Sequence, residues 1–61
     1  MPLLQIEILK GRTVEQKRAM VKEVTEAVVR NMNCKPEVVK IIIREIEREH
    51  LADAGVLHCD K

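Results

Sequence analysis

The sequence contains no phenylalanine, tyrosine or tryptophan, and its 61 residues include only two cysteines, two glycines and two prolines. Without aromatic rings there is no platform on which nucleic-acid bases could stack. The net charge is only +1, with 11 basic and 10 acidic residues interspersed, so there is no electrostatic footprint for a phosphate backbone. We therefore expect no nucleic-acid partner, and a core built from aliphatic side chains and methionine.

Long apolar runs are also absent. No stretch approaches the roughly 20 residues that span a bilayer, so we predict no membrane segment. No signal peptide is recognisable, and the two cysteines, Cys34 and Cys59, do not form the pattern of a disulfide-rich secreted fold. The prediction is a cytoplasmic protein with reduced thiols. At this length the chain forms a single domain, residues 1–61, with little margin of stability of its own.

The common signatures of enzymes and metal sites are missing as well. There is no glycine-rich phosphate loop, no serine nucleophile elbow and no cysteine and histidine pair with a third orienting group. His50, His58 and Cys59 have the spacing H-x7-H-C, which matches no closed zinc site. We predict no metal and no cofactor.

A βαβ unit is indicated by the apolar patterns. LLQIEIL at 3–9 alternates as a half-buried strand does, and TVEQ reads as a capping box in which Thr13 precedes a helix and Gln16 reaches back to it. The helix stripe ends near Met32, and Lys17 is assigned to the face away from that stripe. After a short turn begun by Pro36, the run VVKIIIREI at 38–46 predicts a strand buried on both faces and parallel to the first.

The unit as predicted leaves an apolar surface without cover. One helix covers one face of a two-stranded sheet, yet the second strand carries Ile42 and Ile46 on the other face. We therefore predict an oligomer. The remaining tail is polar, and Ala54 and Gly55 permit a turn, so we expect a short hairpin or arm that packs on a neighbour. The fold class predicted is α/β.

The first twelve residues suggest an active site. Methionine removal in bacteria requires a small second residue, which proline satisfies, so the mature chain would begin with the secondary amine of Pro2. An apolar wall and a nearby cation both lower the pKa of an amine, and the apolar strand and Arg12 could supply them. The amine would then act as a base at neutral pH. The alternative is a proline that merely starts a strand, with Arg12 as a solvated turn residue.

Two further cations interrupt the second strand. Lys40 is either an edge lysine or an anion ligand, because a long cation within an apolar strand needs water or a carboxylate for its head group. Arg44 lies on the same strand face, four residues on, and could extend a positive patch.

The segments PLLQIEILKGRTVEQKRAMVKEVTEAV and IIIREI, together with the Ala-x-Ala-Gly of the tail, resemble the 4-oxalocrotonate tautomerase (2-hydroxymuconate tautomerase) family. The resemblance covers nearly the whole chain. It implies a βαβ fold with a terminal hairpin, assembled as a homohexamer, a trimer of dimers. It also implies a cofactor-free isomerase of small unsaturated 2-hydroxy (2-oxo) acids such as 2-hydroxymuconate, an intermediate of aromatic hydrocarbon catabolism.

The resemblance also implies roles for individual residues. The family's amino-terminal proline base falls on Pro2, and its first arginine, which acts from a neighbouring subunit, falls on Arg12. Its second arginine, which grips the other carboxylate, falls on Lys40, and its aromatic wall residue falls on Leu51. These last two are departures, which make weaker binding or a different carboxylate substrate plausible.

Two alternatives stay open at this point. Asp53 resembles the carboxylate that activates water in acrylate dehalogenase relatives, although the extra arginine of that branch is replaced by Leu9. It would support hydratase or dehalogenase activity on acrylate-type acids. The other alternative is a non-catalytic oligomeric scaffold in which Pro2 has lost its role.

Overall fold

The computed structural model describes the whole chain, Met1 to Lys61. Strand β1 spans Leu3–Leu9, helix α1 spans Val14–Met32, strand β2 spans Lys40–Ile46, and two short strands follow, β3 at Ala52–Asp53 and β4 at Val56–Leu57. Single 3-10 turns lie at Pro36–Val38, Arg48–His50 and His58–Asp60. The prediction of a small α/β chain with a βαβ unit and a terminal hairpin is confirmed.

Strands β1 and β2 pair in parallel, as predicted, with a register that runs from Leu3 opposite Lys40 to Leu9 opposite Ile46. β2 begins two residues later than the apolar run suggested. Pro36 opens a 3-10 turn that extends through Val38, and the Val39 amide donates to the Pro36 carbonyl at 3.1 Å. These residues are therefore not available to the strand ladder.

Helix α1 begins at the predicted capping box. The Gln16 amide donates to Thr13 Oγ1 at 3.1 Å, and the Thr13 amide donates to Gln16 Oε1 at 2.9 Å. Two backbone N–H groups that the helix cannot satisfy internally thus find partners. The helix ends at Met32 because Asn33 adopts a left-handed conformation, with φ of 51°.

The helix covers one face of the β1–β2 sheet. Alternate residues on that face, such as Ile6 and its partner Ile43, are half-buried. Lys17 of α1 and Glu45 of β2 form an ion pair of 2.8 Å that joins helix and sheet there. On the other face Leu3 is 56% exposed and Ile42 is 40% exposed. The single chain therefore buries only one face of β2, and burial of the other face stays a prediction that depends on the oligomer.

The chain is thin and elongated. None of its residues is fully buried, and it exposes 4948 Å², whereas a compact monomer of 7.0 kDa exposes about 4,000 Å². Its radius of gyration is 14.7 Å, against about 10 to 11 Å for a compact domain of this length. One chain therefore does not supply a closed hydrophobic core.

The chain has no disulfide bond. Cys34, which is half-buried, and Cys59, which is exposed, are both free thiols. None of the helices combines the length and the apolar character needed to cross a membrane.

Candidate active site

Pro2 and Lys40 lie together at one end of the β1–β2 sheet. The Lys40 amide donates to the Pro2 carbonyl at 3.0 Å, which adds one rung to the ladder before β1 begins. Pro2 is half-buried, whereas Met1 is 87% exposed. While Met1 is attached, the Pro2 nitrogen belongs to a peptide bond and has no basicity, so the chemistry predicted for Pro2 requires loss of Met1.

Arg12 lies at the opposite end of β1, where the chain turns into the helix. Gly11 makes that turn with φ of 126°, a conformation that side-chain-bearing residues rarely adopt. The turn places Arg12 in the one groove of the chain, a concavity of about 420 Å³. The groove is lined by Ile8, Leu9, Arg12, Gln16, Lys17 and Met20.

The groove is apolar with a positive rim. Lys17 is neutralised by Glu45, and the pair is only partly exposed, at 24% and 34% of the two side chains. The five ion pairs of the chain do not include Arg12 or Lys40. Arg12 therefore provides uncompensated positive charge, which suits a carboxylate ligand.

Lys17 was not predicted as a groove residue, since its place on the helix suggested an outward face. The signal that could have revealed the position of Lys17 is Glu45, a carboxylate within the largely apolar strand β2. Such a group needs a cation or hydrogen-bond donors when it packs against a helix. Only the register of β2 against β1, with Glu45 opposite Ile8, shows that Glu45 points toward α1.

The structure does not bring Pro2 and Arg12 together within one chain. They flank β1, and its seven residues alone extend over about 20 Å at roughly 3.3 Å per residue. That distance is far beyond the reach of one small substrate. A site that uses both residues must take them from different copies of the chain.

The other predicted site residues lie on separate parts of the fold. Arg44 is on the uncovered face of the sheet, where its Nη1 donates to Gln5 Oε1 at 3.5 Å. Leu51 is half-buried in the C-terminal arm, residues 48–61. The arm follows Glu47, which accepts a hydrogen bond of 3.0 Å from Lys10 and thereby raises the pKa of Lys10.

Asp53 is already engaged within the arm. Its Oδ2 atom accepts hydrogen bonds from Lys61 Nζ at 2.9 Å and from His58 Nε2 at 2.6 Å, and these two contacts lower the pKa of Asp53. A carboxylate with a lowered pKa is a weaker base, which argues against its use to activate water. His58 thus has a carboxylate partner, and no group of three or more potential metal ligands is present in the chain.

The chain thus combines a βαβ unit, Pro2 at one end of its sheet, and an arginine outside all ion pairs in an apolar groove at the other end. Residues 2–60 match the family model described as tautomerase enzyme. The chain belongs to the tautomerase family, and this membership indicates isomerase activity in general.

Three similar proteins illustrate the relationship. The 2-hydroxymuconate tautomerase of Pseudomonas putida is 40% identical over 57 residues, which cover 93% of this chain and 90% of the relative. A 4-oxalocrotonate tautomerase isozyme from Methylibium petroleiphilum is 46% identical, with a TM-score of 0.92 over 95% of this chain and 91% of that one. A heterohexameric 4-oxalocrotonate tautomerase from Chloroflexus aurantiacus J-10-fl is 28% identical, with a TM-score of 0.93 over 98% and 97%.

Proposed function

We propose that the protein catalyses the tautomerisation of small unsaturated 2-hydroxy (2-oxo) acids such as 2-hydroxymuconate, with Pro2 as the general base. The observation that carries this proposal is the 40% identity to the Pseudomonas putida 2-hydroxymuconate tautomerase over 93% of the chain. The presence of Pro2 as the second residue and of Arg12 in an apolar groove supports it. The reaction moves one proton and requires no cofactor.

The proposed mechanism starts after Met1 has been removed. The neutral amine of Pro2 takes the proton from the 2-hydroxyl group of the dienol, and the electron pair of the broken O–H bond forms the 2-oxo group. The conjugated double bonds shift, and Pro2 returns the proton to a remote carbon. One residue thus serves first as base and then as acid.

Arg12 has an electrostatic role in this proposal. Negative charge develops on the 2-oxygen as its proton leaves, beside a carboxylate that is already charged. Arg12 is free of intrachain ion pairs and can stabilise both. The half of the site that contains Arg12 would come from a neighbouring chain, because Pro2 and Arg12 flank β1 in the same chain.

The remaining predicted residues would set the substrate range. Lys40, beside Pro2, would bind the second carboxylate, with Arg44 further along the same face adding positive charge. A lysine keeps the charge of an arginine but not its planar, two-pronged fit to a carboxylate. Leu51 would form an apolar wall. We also propose that the enzyme acts in the cytoplasm, within a pathway of aromatic hydrocarbon catabolism.

We further propose a homohexamer, arranged as a trimer of dimers. The uncovered sheet face, the lack of any fully buried residue and the elongated shape support an assembly. The similar protein from Chloroflexus aurantiacus J-10-fl is a heterohexamer. Sedimentation is expected to give six times the 7.0 kDa chain mass, and a stable monomer at micromolar concentration would contradict this proposal.

The deciding experiment combines intact mass with turnover. Protein shown by mass spectrometry to lack Met1 should convert 2-hydroxymuconate or phenylenolpyruvate. Pro2→Ala should lower kcat by about 10² to 10⁴, the usual worth of a positioned acid or base. Pro36→Ala, which alters the other proline in the turn before β2, is the matched control and should keep kcat.

Two results would refute the proposed function. Full activity with Met1 retained would place the chemistry elsewhere than the Pro2 amine. An assembled protein that lacks Met1 and turns over neither substrate would favour the scaffold alternative.

A further inference from the structure

Within the single chain, the C-terminal arm is held mainly by contacts among its own segments. Strands β3 and β4 have two residues each, paired as Ala52 with Leu57 and Asp53 with Val56. A two-stranded hairpin of this size is marginal in water by itself. Its conformation therefore depends on interactions beyond the ladder.

A cluster of three side chains supplies such interactions. Asp53 pairs with Val56 on β4, and its side chain reaches the segment after β4, where its Oδ2 atom accepts from both His58 Nε2 and Lys61 Nζ. The turn between the strands makes this possible, since Ala54 and Gly55 have φ of 51° and 80°, the left-handed pair of a tight hairpin. The contacts thus close the arm from residue 53 to residue 61.

The cluster is tied directly to Leu51. The His58 amide donates to the Leu51 carbonyl at 2.8 Å, while the His58 ring, with its side chain only 23% exposed, contacts Asp53. Arg48 Nη2 also lies 3.4 Å from the His58 carbonyl. His58 therefore joins Leu51 to Asp53 through its own backbone and ring.

We propose that Asp53, His58 and Lys61 form a clamp that fixes Leu51, so that these three act as positioning residues for the apolar wall of the active site. The clamp follows from the contacts of the arm, whereas the wall role of Leu51 rests on the proposed function. The charged groups that contact His58 or its partner are Asp53, Lys61 and Arg48. Glu49 and His50 lie on the 3-10 turn that packs against the turn of His58, and Asp60 is on that same turn. The hydrogen bonds from Lys61 and His58 also lower the pKa of Asp53, as expected for contacts that favour the ionised carboxylate.

The first test does not depend on turnover. In Asp53→Asn, exchange of the His58 amide hydrogen should accelerate by roughly two- to fivefold, the scale of exposed ion pairs, and the Leu51 methyl NMR signals should shift. Asp60→Asn is the matched control, because Asp60 lies in the same turn and its side chain hydrogen-bonds the neighbouring Cys59 thiol at 3.8 Å rather than His58 or Lys61. Both readouts should stay unchanged in the control. Equal exchange in Asp53→Asn and wild type would overturn the clamp.

The second test separates positioning from chemistry. A wall that contacts substrate in both the ground and transition states affects KM, so Asp53→Asn and Lys61→Met should raise KM and leave kcat unchanged. Lys61→Arg should restore the wild-type KM, because it keeps the charge that Asp53 accepts. A fall in kcat at unchanged KM would overturn the positioning role. If the wild type turns over no substrate, the wall role fails with the proposed function, while amide exchange still decides the clamp.

Discussion

Because Pro2 and Arg12 are far apart in one chain, we predict that mixing Pro2→Ala chains with Arg12→Ala chains restores part of the activity that each variant has lost. Each residue lies at its own end of β1, about 20 Å apart, so the proposed site combines Pro2 of one chain with Arg12 of another. Pro2→Ala chains retain Arg12, and Arg12→Ala chains retain Pro2. Mixed assemblies therefore contain some sites with both residues intact.

The expected recovery follows from random mixing. In an equal mixture, half of the chains carry an intact Pro2 and half carry an intact Arg12. A site built from two different chains then has both with a probability of about one quarter, so about one quarter of wild-type activity should return. A site built within one chain would recover nothing.

The assay is co-refolding of the two variants from denaturant, followed by turnover of 2-hydroxymuconate. Separately refolded variants mixed at the end, without subunit exchange, give the background. A mixture of Arg18→Ala and Pro2→Ala chains is the control, since Arg18 is 73% exposed and lies outside the groove. Half of the chains in this mixture have an intact Pro2 and all have an intact Arg12, so about half of the wild-type activity is expected. A mixture of Pro2→Ala and Arg12→Ala with no activity above background would refute the shared site.

Three further outcomes are expected. Lys40→Arg should lower KM for a dicarboxylate substrate by up to about tenfold and leave KM for phenylenolpyruvate unchanged, because a guanidinium binds a second carboxylate at two points. Thr13→Ala should reduce the free energy of unfolding by about 0.5 to 2 kcal/mol in a denaturant titration, with Thr13→Ser close to wild type, because it removes the helix cap. The pKa of Asp53 is lowered in the folded arm, so its contacts stabilise the arm fully at pH values above the ordinary pKa of 3.8. This stabilisation is lost as the pH falls through the lower pKa of the folded state. The protection of the His58 amide, measured as its exchange rate relative to the unfolded chain at the same pH, should fall over this pH range in the wild type and not in Asp53→Asn.

The main elements were predictable because each has a local cause. Alternation of apolar residues over Leu3–Leu9 is enough to predict a strand, and the reciprocal hydrogen bonds of Thr13 and Gln16 are enough to begin a helix. The start of β2 was misjudged because valine favours strands, yet Pro36 holds Val38 in a 3-10 turn. Local propensity was overridden there by the turn chemistry of the preceding residue.

The contacts that assemble the candidate site were less predictable. The pairing of Lys17 with Glu45 depends on the register between strands, which a single strand pattern does not contain. The contacts of Asp53 with His58 and Lys61 depend on a left-handed conformation at Ala54, which alanine rarely adopts. The roles of Pro2, Arg12, Lys40, Arg44 and Leu51 stay predictions, because they follow from residue patterns and family resemblance and depend on substrate and neighbouring chains.

No residue of the single chain is fully buried, and this has a consequence for how much stable protein a cell contains at a given level of expression. If the chain assembles as proposed, it gains most of its stability from association, so dilution and unfolding become one event. Newly made chains would be open to proteases until they meet partners, and assembly depends on a high power of their concentration. We therefore expect the cellular activity of this protein to rise more steeply than its rate of synthesis, with little activity below a threshold.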